Sequence, residues 1–389
     1  MKLVFYSVVL NHHQAPVADE FYNLLGKDYA FVETSDLGDT KGATEDYTQR
    51  PYLIQAWRDK ASHAKAMELL RTAEVCVFGS TESFPYLKER MKYNLLSFQM
   101  GERWLKQGWK NILSPRLQAF WWNYQLKGWQ GKPLYKLCAS AFTAQDDAKL
   151  GTYRDKCYKW GYFIHVDYPK VEASPDVSTS SSTPLLWCAR YLKLKHPELP
   201  VLLAHRLKEK GYRFTLNMYG SGEYEEATRR LVQELQVDDV VQLKGNVPNA
   251  ELMAAMQQHA IFLFTSDRNE GWGAVANESM SSGCALVGSE AIGSVPYLVQ
   301  DGQTGCIFRA PRTDSTFGRP DAEALDSLTE KVEDLLQHPD KLLRIRQAGQ
   351  EAVQQLWSPR HAAESLLQLI ADLSNGKETS IDEGPCSKA

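Results

Sequence analysis

Short, uninterrupted apolar runs alternate along this chain with longer stretches in which apolar residues recur every three or four positions. In the first half the runs are KLVFYSVVL (2–10), YAFVETS (29–35), EVCVFGS (74–80) and NLLSF (94–98), with helix-like stretches at 15–26, 57–72 and 83–92. The alternation resumes with PLLWCAR (184–190), RFTLNMYGSG (213–222), VVQLKGNV (240–247), AIFLFTS (260–266), CALVGS (284–289) and GCIFR (305–309). Helix-like stretches at 197–210, 223–236 and 249–258, and a helix ending at Gly283, separate them, and three more follow at 321–337, 339–356 and 359–373. Strands that alternate with helices predict βαβ units and parallel sheets. The expected class is α/β, with two Rossmann-like, doubly wound domains facing a cleft.

Between the two series lies EASPDVSTSSSTP (172–184), without a large aromatic or aliphatic cluster and rich in Ser, Thr and Pro, which predicts a linker. The expected organisation is therefore a first domain at 1–171, the linker at 172–184 and a second domain at 185–357. A last helix at 358–373 is a candidate to return to the first domain. The polar, glycine-containing end, 374–389, predicts a disordered tail.

At 389 residues, 43% hydrophobic and 24% charged, the chain is long enough for two cores. A formal net charge of −4 argues against a nucleic-acid binder. The seven cysteines (76, 138, 157, 188, 284, 306 and 386) contain no CxxC, so neither a disulfide framework nor a zinc site is indicated, and a reducing cytoplasm fits. Leu3 to Leu10 is too short an apolar run to span a membrane and reads as a buried first strand.

The stretch NEGWGAVANESMSSG (269–283) places Glu270 in a loop after one strand and Glu278 early in the next helix. Gly271 and Gly273, on either side of Trp272, let the backbone approach a ligand, and the helix start offers N–H groups to an anion. Each carboxylate can accept two hydroxyl hydrogen bonds, which suits a ribose or a sugar ring. Two solvated acids at a helix start explain the same spacing. Gly220 and Gly222 in YGSGEY follow another strand, either at a ligand or in an ordinary strand-to-helix turn.

The company of that stretch is more specific. ARYLKLKHPE (189–198), LNMYGSGEYEE (216–226), VVQLKGNVP (240–248), EGWGAVANE (270–278), MSSGCALVGSEAIGSVPYLV (280–299) and DGQTGCIFR (301–309) stand in the order and spacing of the family 4 glycosyltransferases of GT-B type. The chain resembles that family over most of 185–310. Its LNHHQAPVADEFY (10–22), MGERWLKQGW (100–109) and LCASAFTAQDDAKLGTYRDKCYKWGYF (137–163) are similar to capsule, exopolysaccharide and lipopolysaccharide glycosyltransferases. The resemblance implies transfer of a sugar from a nucleotide-sugar donor with retention of anomeric configuration; a UDP-sugar is the favoured donor, though no residue of the sequence distinguishes the base. It implies that Arg190 and Lys195 neutralise the donor diphosphate, that Glu278 binds the ribose and that Glu270 lies near the transferred sugar. It also implies that Gly245, Asn246 and Val247 meet the nucleobase through backbone groups. Gly293 and Ser294 would open a short helix toward the diphosphate or the sugar. Tyr297 stands where a glutamate is common in relatives, so that loop departs from the family pattern. No D-x-D and no His/Cys/Asp cluster with metal spacing occurs, so neither a metal nor another cofactor is expected.

On the acceptor side, His12 and His13 follow the first strand, and Glu102 and Arg103 follow a later one; solvated histidines and a surface ion pair are the alternatives for these. Residues 103–136 hold seven Lys/Arg, no acid and five of the ten tryptophans. That mixture suits the surface of an anionic membrane and hence a lipid-linked oligosaccharide acceptor on the inner leaflet; burial of the tryptophans within the domain is the alternative. An inactive scaffold in a polysaccharide-assembly complex is the rival from another class, and intact Glu270, Glu278, Arg190 and Lys195 speak against it. A nicotinamide-dependent dehydrogenase loses its main support because NHHQAP follows the first strand in place of G-x-G-x-x-G.

Overall fold

A computed structural model describes residues 2–36, 47–165, 168–172, 182–319 and 321–389. It divides into two compact units, one of 1–165 with 357–389 and one of 166–356. Most of the expected linker, 172–184, lies outside the described residues.

The first unit carries seven parallel strands: β1 (Leu3–Ser7), β2 (Tyr29–Glu33), β3 (Leu53–Gln55), β4 (Val75–Phe78), β5 (Ser97–Gly101), β6 (Leu134–Cys138) and β7 (Cys157–Lys159). Their spatial order is β3-β2-β1-β4-β5-β6-β7. Helices α1 (Ala15–Leu25), α2 (Lys60–Thr72), α3 (Phe84–Arg90), α4 (Pro115–Leu126) and α5 (Thr143–Lys149) connect them. β1, β2 and β4 are buried at every position, which is why their sequences are continuous apolar runs: helices cover both faces of a parallel sheet. Val4, Tyr6, Val32, Leu69, Phe78 and Leu134 belong to one core on one side of this sheet.

The second unit repeats the plan. Its strands are β8 (Thr183–Cys188), β9 (Phe214–Tyr219), β10 (Val241–Gly245), β11 (Ile261–Phe264), β12 (Ala285–Ser289) and β13 (Cys306–Phe308), in the parallel order β10-β9-β8-β11-β12-β13. The helices are α6 (Glu198–Glu209), α7 (Glu225–Glu234), α8 (Asn249–Gln257), α9 (Val275–Ser281), α10 (Val295–Leu298), α11 (Ala322–Gln337) and α12 (Pro339–Gln355). In each sheet the order reverses once, between β1 and β4 and between β8 and β11. Such a switch point, beyond the carboxyl ends of the strands, is where open α/β sheets bind ligands.

The last helix, α13 (Pro359–Ser374), lies in the first unit, where Arg360 Nη1 is 3.3 Å from Glu20 Oε2 of α1. The expected disordered tail at 374–389 is corrected by the structure. Cys386 N–H donates to the Lys159 carbonyl at 2.7 Å, Ala389 N–H donates to the Cys157 carbonyl at 3.2 Å, and Cys386 is fully buried. These partners are backbone groups of the edge strand β7, which place no demand on side-chain polarity. Ser380 adds its N–H and hydroxyl to the Asp372 carboxylate, at 2.9 and 2.8 Å. Among the described residues no helix is long and apolar enough to cross a membrane.

Candidate functional site

The carboxyl ends of β8 and β11 are stitched together. Asp267 N–H donates to the Leu194 carbonyl at 2.9 Å, and the Thr265 hydroxyl donates to the Lys195 carbonyl at 2.7 Å while accepting from Trp187 Nε1 at 2.9 Å. This locks the loop that carries Lys195 to the loop that carries Glu270, and the two side chains form an ion pair. Lys195 Nζ also stands 5.8 Å from the centre of the Phe264 ring. The expected cation and the expected sugar-side carboxylate thus meet at the switch point of the second sheet. Arg190, after β8, is exposed, with no acid within salt-bridge reach among the described residues.

Glu278 occupies the first turn of α9 and is half-buried. Burial pushes its carboxyl up to about 7. It lies close enough to the end of β8 to help burial raise the Cys188 thiol to about 12. In the turn before α9, Gly273 has φ +77, and a Cβ there would stand 2.4 Å from Phe264 Cζ. Only glycine admits this turn, which brings Glu270 and the helix start together. Trp272 is fully buried, with Nε1 donating to Asn277 Oδ1 at 2.8 Å, so it anchors the turn from inside. The N–H groups of Gly273, Ala274 and Val275 are those of a helix start; Gly273 and Ala274 find no backbone acceptor among the described residues, and Ala274 at the N-cap has no side-chain acceptor to cap the first turn.

The expectation for the short helix after β12 needs correcting. Gly293 N–H donates to the Gly271 carbonyl at 3.0 Å and Ser294 N–H to the Trp272 carbonyl at 3.2 Å. The N–H groups of Glu290, Ile292 and Val295 are likewise bonded to carbonyls. This loop is tied to the 271–273 turn and supports it, rather than presenting N–H groups to a ligand. What Ser294 retains is a buried hydroxyl with no partner among the described residues.

Gly220 and Gly222 lie against the loop after β8. A Cβ on Gly220 would stand 1.9 Å from the Ala189 carbonyl oxygen, and Tyr191 N–H donates to the Ser221 carbonyl at 2.9 Å. Gly220 N–H donates to the Gly245 carbonyl at 2.9 Å, and Asn246 Nδ2 donates to Ser221 Oγ at 2.7 Å. Gly245, Asn246 and the half-buried Val247 therefore adjoin the 220–222 turn, which adjoins the Arg190 loop.

In the first unit, Glu102 and Arg103 are not paired with each other. Arg103 is buried and holds Asp146 with two bonds of 3.1 Å, while the same carboxylate accepts from Leu105 N–H at 2.8 Å. Arg103 is thus a positioning residue for its loop. Glu102 accepts from Tyr162 Oη at 2.9 Å and pairs with Lys106. The His12 and His13 rings lie 3.7 Å apart, and His13 stacks on Tyr162. Burial, aided by His12, pushes His13 down to about 4, so it is neutral.

His196 was not among the expected residues. Fully buried beside Lys195, it has Nδ1 2.9 Å from Glu198 and Nε2 3.5 Å from Asp267. Burial works against its charge, but Asp267 and Glu198 outweigh it and raise the ring to about 9 from 6.5. A histidine two positions before a glutamate was the available signal; Asp267 lies too far along the chain to be linked to it by spacing. Because the folded value is the higher one, this stabilisation is complete below pH 6.5 and is lost as pH rises through about 9. His196→Gln should cost on the order of 3 kcal/mol below that window and much less above it, read by urea unfolding. A cost independent of pH contradicts a charged His196.

Residues 180–352 match the family described as glycosyl transferases group 1. Over 126 residues the chain is 31% identical to the GtfA subunit of the UDP-N-acetylglucosamine–peptide N-acetylglucosaminyltransferase of Streptococcus pneumoniae, covering 31% of this chain and 21% of that protein. Over 186 residues it is 24% identical to WcaL of Escherichia coli, named as a putative colanic acid biosynthesis glycosyltransferase, covering 44% of this chain and 45% of that protein. The chain thus spans less than half the length of these curated relatives. Among solved structures, HepE of Anabaena in complex with UDP superposes with a TM-score of 0.69 at 13% identity, over 97% of this chain and 100% of that one. TarM of S. aureus, solved with UDP, gives 0.58 at 13% identity, over 80% of this chain and 58% of that one. Residues 180–352 are a glycosyl transferases group 1 domain, and the two parallel sheets have the fold of GT-B glycosyltransferases.

Proposed function

We propose that the chain is a retaining glycosyltransferase that moves a sugar from a UDP-sugar to a lipid-linked glycan acceptor during assembly of a bacterial surface polysaccharide. The observation that carries this is the Lys195–Glu270 ion pair at the β8/β11 switch point, with Glu278 in the helix that follows. Cleaving a sugar–phosphate bond develops negative charge on the departing nucleoside diphosphate. Arg190 and Lys195 supply fixed positive charge there without a metal ion, and the α9 start adds N–H groups. Glu278 accepts the ribose hydroxyls, and Glu270 faces the transferred sugar as positive charge builds on it. Gly220, Gly222, Gly245, Asn246 and Val247 line the nucleoside side. UDP is the favoured nucleotide because HepE and TarM were solved with it. The name of WcaL supports a polysaccharide acceptor.

The test is incubation of the full chain with UDP-, GDP- and ADP-sugars and lipid-linked oligosaccharides, following nucleotide release and product configuration by proton NMR. Release from one UDP-sugar with retained configuration is expected. Release from none of them, or an inverted product, overturns the proposal.

The first unit supports a membrane-borne acceptor. Of the five tryptophans in 103–136, Trp129 is buried, whereas Trp109 and Trp122 are 60% and 54% exposed, and Leu113 and Leu126 are 78% and 57% exposed. Lys110, Arg116 and Lys127 are exposed in the same stretch. Aromatic rings that insert at headgroup level beside cations that meet anionic lipid suit this composition. The protein should float with anionic liposomes at low salt, and Trp109→Ala with Trp122→Ala should sink. A wild-type protein that stays with the soluble fraction contradicts membrane contact.

A further inference from the structure

A cavity of about 630 Å³ lies beyond the carboxyl ends of β4, β5 and β6. Its lining includes Ser80, Gln99, Trp104, Arg116, Lys136 and Tyr162. We propose that this cavity is an acceptor subsite and that it takes an oxyanion, a phosphate or a carboxylate, on the ammonium of Lys136. The inference rests on the glycosyltransferase proposal only in calling the ligand an acceptor.

Lys136 is the observation that demands explanation. It sits inside β6, opposite Gln99 of β5, and only 1% of it is exposed. A lysine at such a place is costly unless its charge is met. Among the described residues no carboxylate lies within 4 Å of Nζ, which stands 5.4 Å from the centre of the Trp104 ring and 5.6 Å from that of Tyr153. Asp147 lies near enough for Lys136 to act on its carboxyl, but not within salt-bridge reach; its Oδ1 accepts from the Thr152 hydroxyl at 2.7 Å and its Oδ2 is buried without a hydrogen-bond partner among the described residues. Space for the ammonium comes from Gly101, where a Cβ would stand 3.2 Å from Nζ. The side chain thus passes the strand end and reaches the cavity.

The walls around it fit an anion. Ser80 Oγ is buried and has no partner among the described residues, so it is a free hydroxyl on the cavity wall. Arg116 at the rim has no acid within salt-bridge reach among the described residues. Lys106 is answered by Glu102, and Arg103 by Asp146, so the uncompensated charge on the wall is positive. The bound group also has an origin that the same helix suggests. Arg116 and Phe120 of α4 face the cavity, while Trp121, Trp122 and Leu126 of α4 are exposed. An oxyanion held here would lie beside the surface proposed to touch lipid; a uronic acid in the glycan would supply the same chemistry.

The test is thermal unfolding of the full chain at saturating UDP, with added pyrophosphate, methyl glucuronide or the neutral methyl glucoside, against sodium chloride of equal ionic strength. Wild type should be stabilised by at least one of the two anions and not comparably by the glucoside. Lys136→Met should bind that anion at least about tenfold more weakly, the size of one lost charge-assisted contact, and Lys136→Arg should restore part of it. A pyrophosphate response assigns the anion to a phosphate and a glucuronide response assigns it to a sugar acid. Equal shifts in wild type and Lys136→Met, a shift with the glucoside as large as that with the stabilising anion, or no anion shift in wild type overturn the inference. Should Lys136→Met fail to fold, Arg116→Gln at the exposed rim decides the same question: weaker anion binding supports the subsite and unchanged binding overturns it. UDP alone, in the same experiment, reports on the donor site, so failure of the proposed function and failure of this inference give different patterns.

Discussion

Arg190→Ala combined with Lys195→Ala is expected to lower kcat/KM for sugar transfer by about a thousandfold or more, while circular dichroism still reports a folded chain. Each cation is assigned to the charge that develops on the leaving diphosphate, and removing one such preorganised group from an active site costs about 2.7–4 kcal/mol. The fold should survive because Arg190 is exposed and Lys195 is held through its carbonyl by Thr265, a contact that alanine keeps. Lys195→Ala alone should be the more harmful single change, because it also frees the partly buried Glu270 carboxylate from its only ion-pair partner among the described residues. Steady-state kinetics with the UDP-sugar that supports transfer decide the matter. Turnover within tenfold of wild type in the double variant would mean that the diphosphate is bound elsewhere.

Gly220→Ala is the second change with a large expected effect, and it acts through the backbone. Gly220 has φ +122, and an added Cβ would meet the Ala189 carbonyl oxygen at 1.9 Å. No side-chain rotation relieves a clash with backbone. Either the loop after β8 or the 220–222 turn must shift, carrying Arg190 or the Gly245 contact with it. The expected cost is about 3 kcal/mol or more in urea unfolding, together with loss of UDP binding. A variant with wild-type stability and wild-type UDP affinity would show that this close approach has no part in the site.

Much of the fold was legible because burial and period coincide. YAFVE, VCVF and IFLF are apolar at nearly every position, as strands covered on both faces must be, and each forms a strand. Helices read from their three-to-four spacing begin and end within a few residues of 60–72, 249–257, 339–355 and 359–374. Of the candidate site, the placement of Glu270 in a loop and Glu278 in the first turn of the next helix was legible, because both are local features. What escaped depends on contacts distant in sequence. Lys195 with Glu270 and His196 with Asp267 bridge the two loops that follow the carboxyl ends of β8 and β11, and no spacing rule joins them. Arg103 read as an acceptor-side candidate beside Glu102, with a surface ion pair as the alternative, yet Asp146, 43 positions away, accepts from its Nε and Nη2. Gly293 and Ser294 looked like anion donors because a glycine-rich turn opens a helix, but their N–H groups are consumed by the neighbouring loop. The tail was misjudged from composition, since what fixes it is backbone pairing at the edge strand. Lys136 carried a signal that went unused: a lysine in the middle of the apolar run LYKLC.

Nucleotide binding at the second unit is tested by thermal unfolding of wild type and Glu278→Ala against UDP, GDP and ADP. At a hundred times its dissociation constant a single-site ligand adds about 2.7 kcal/mol of stability. UDP is expected to stabilise the wild-type chain, GDP and ADP to do so far less, and Glu278→Ala, still folded, to lose most of the UDP effect. A wild-type chain indifferent to every nucleotide, or a Glu278→Ala variant that responds to UDP as wild type does, would contradict a nucleotide-sugar site built on Lys195, Glu270 and Glu278.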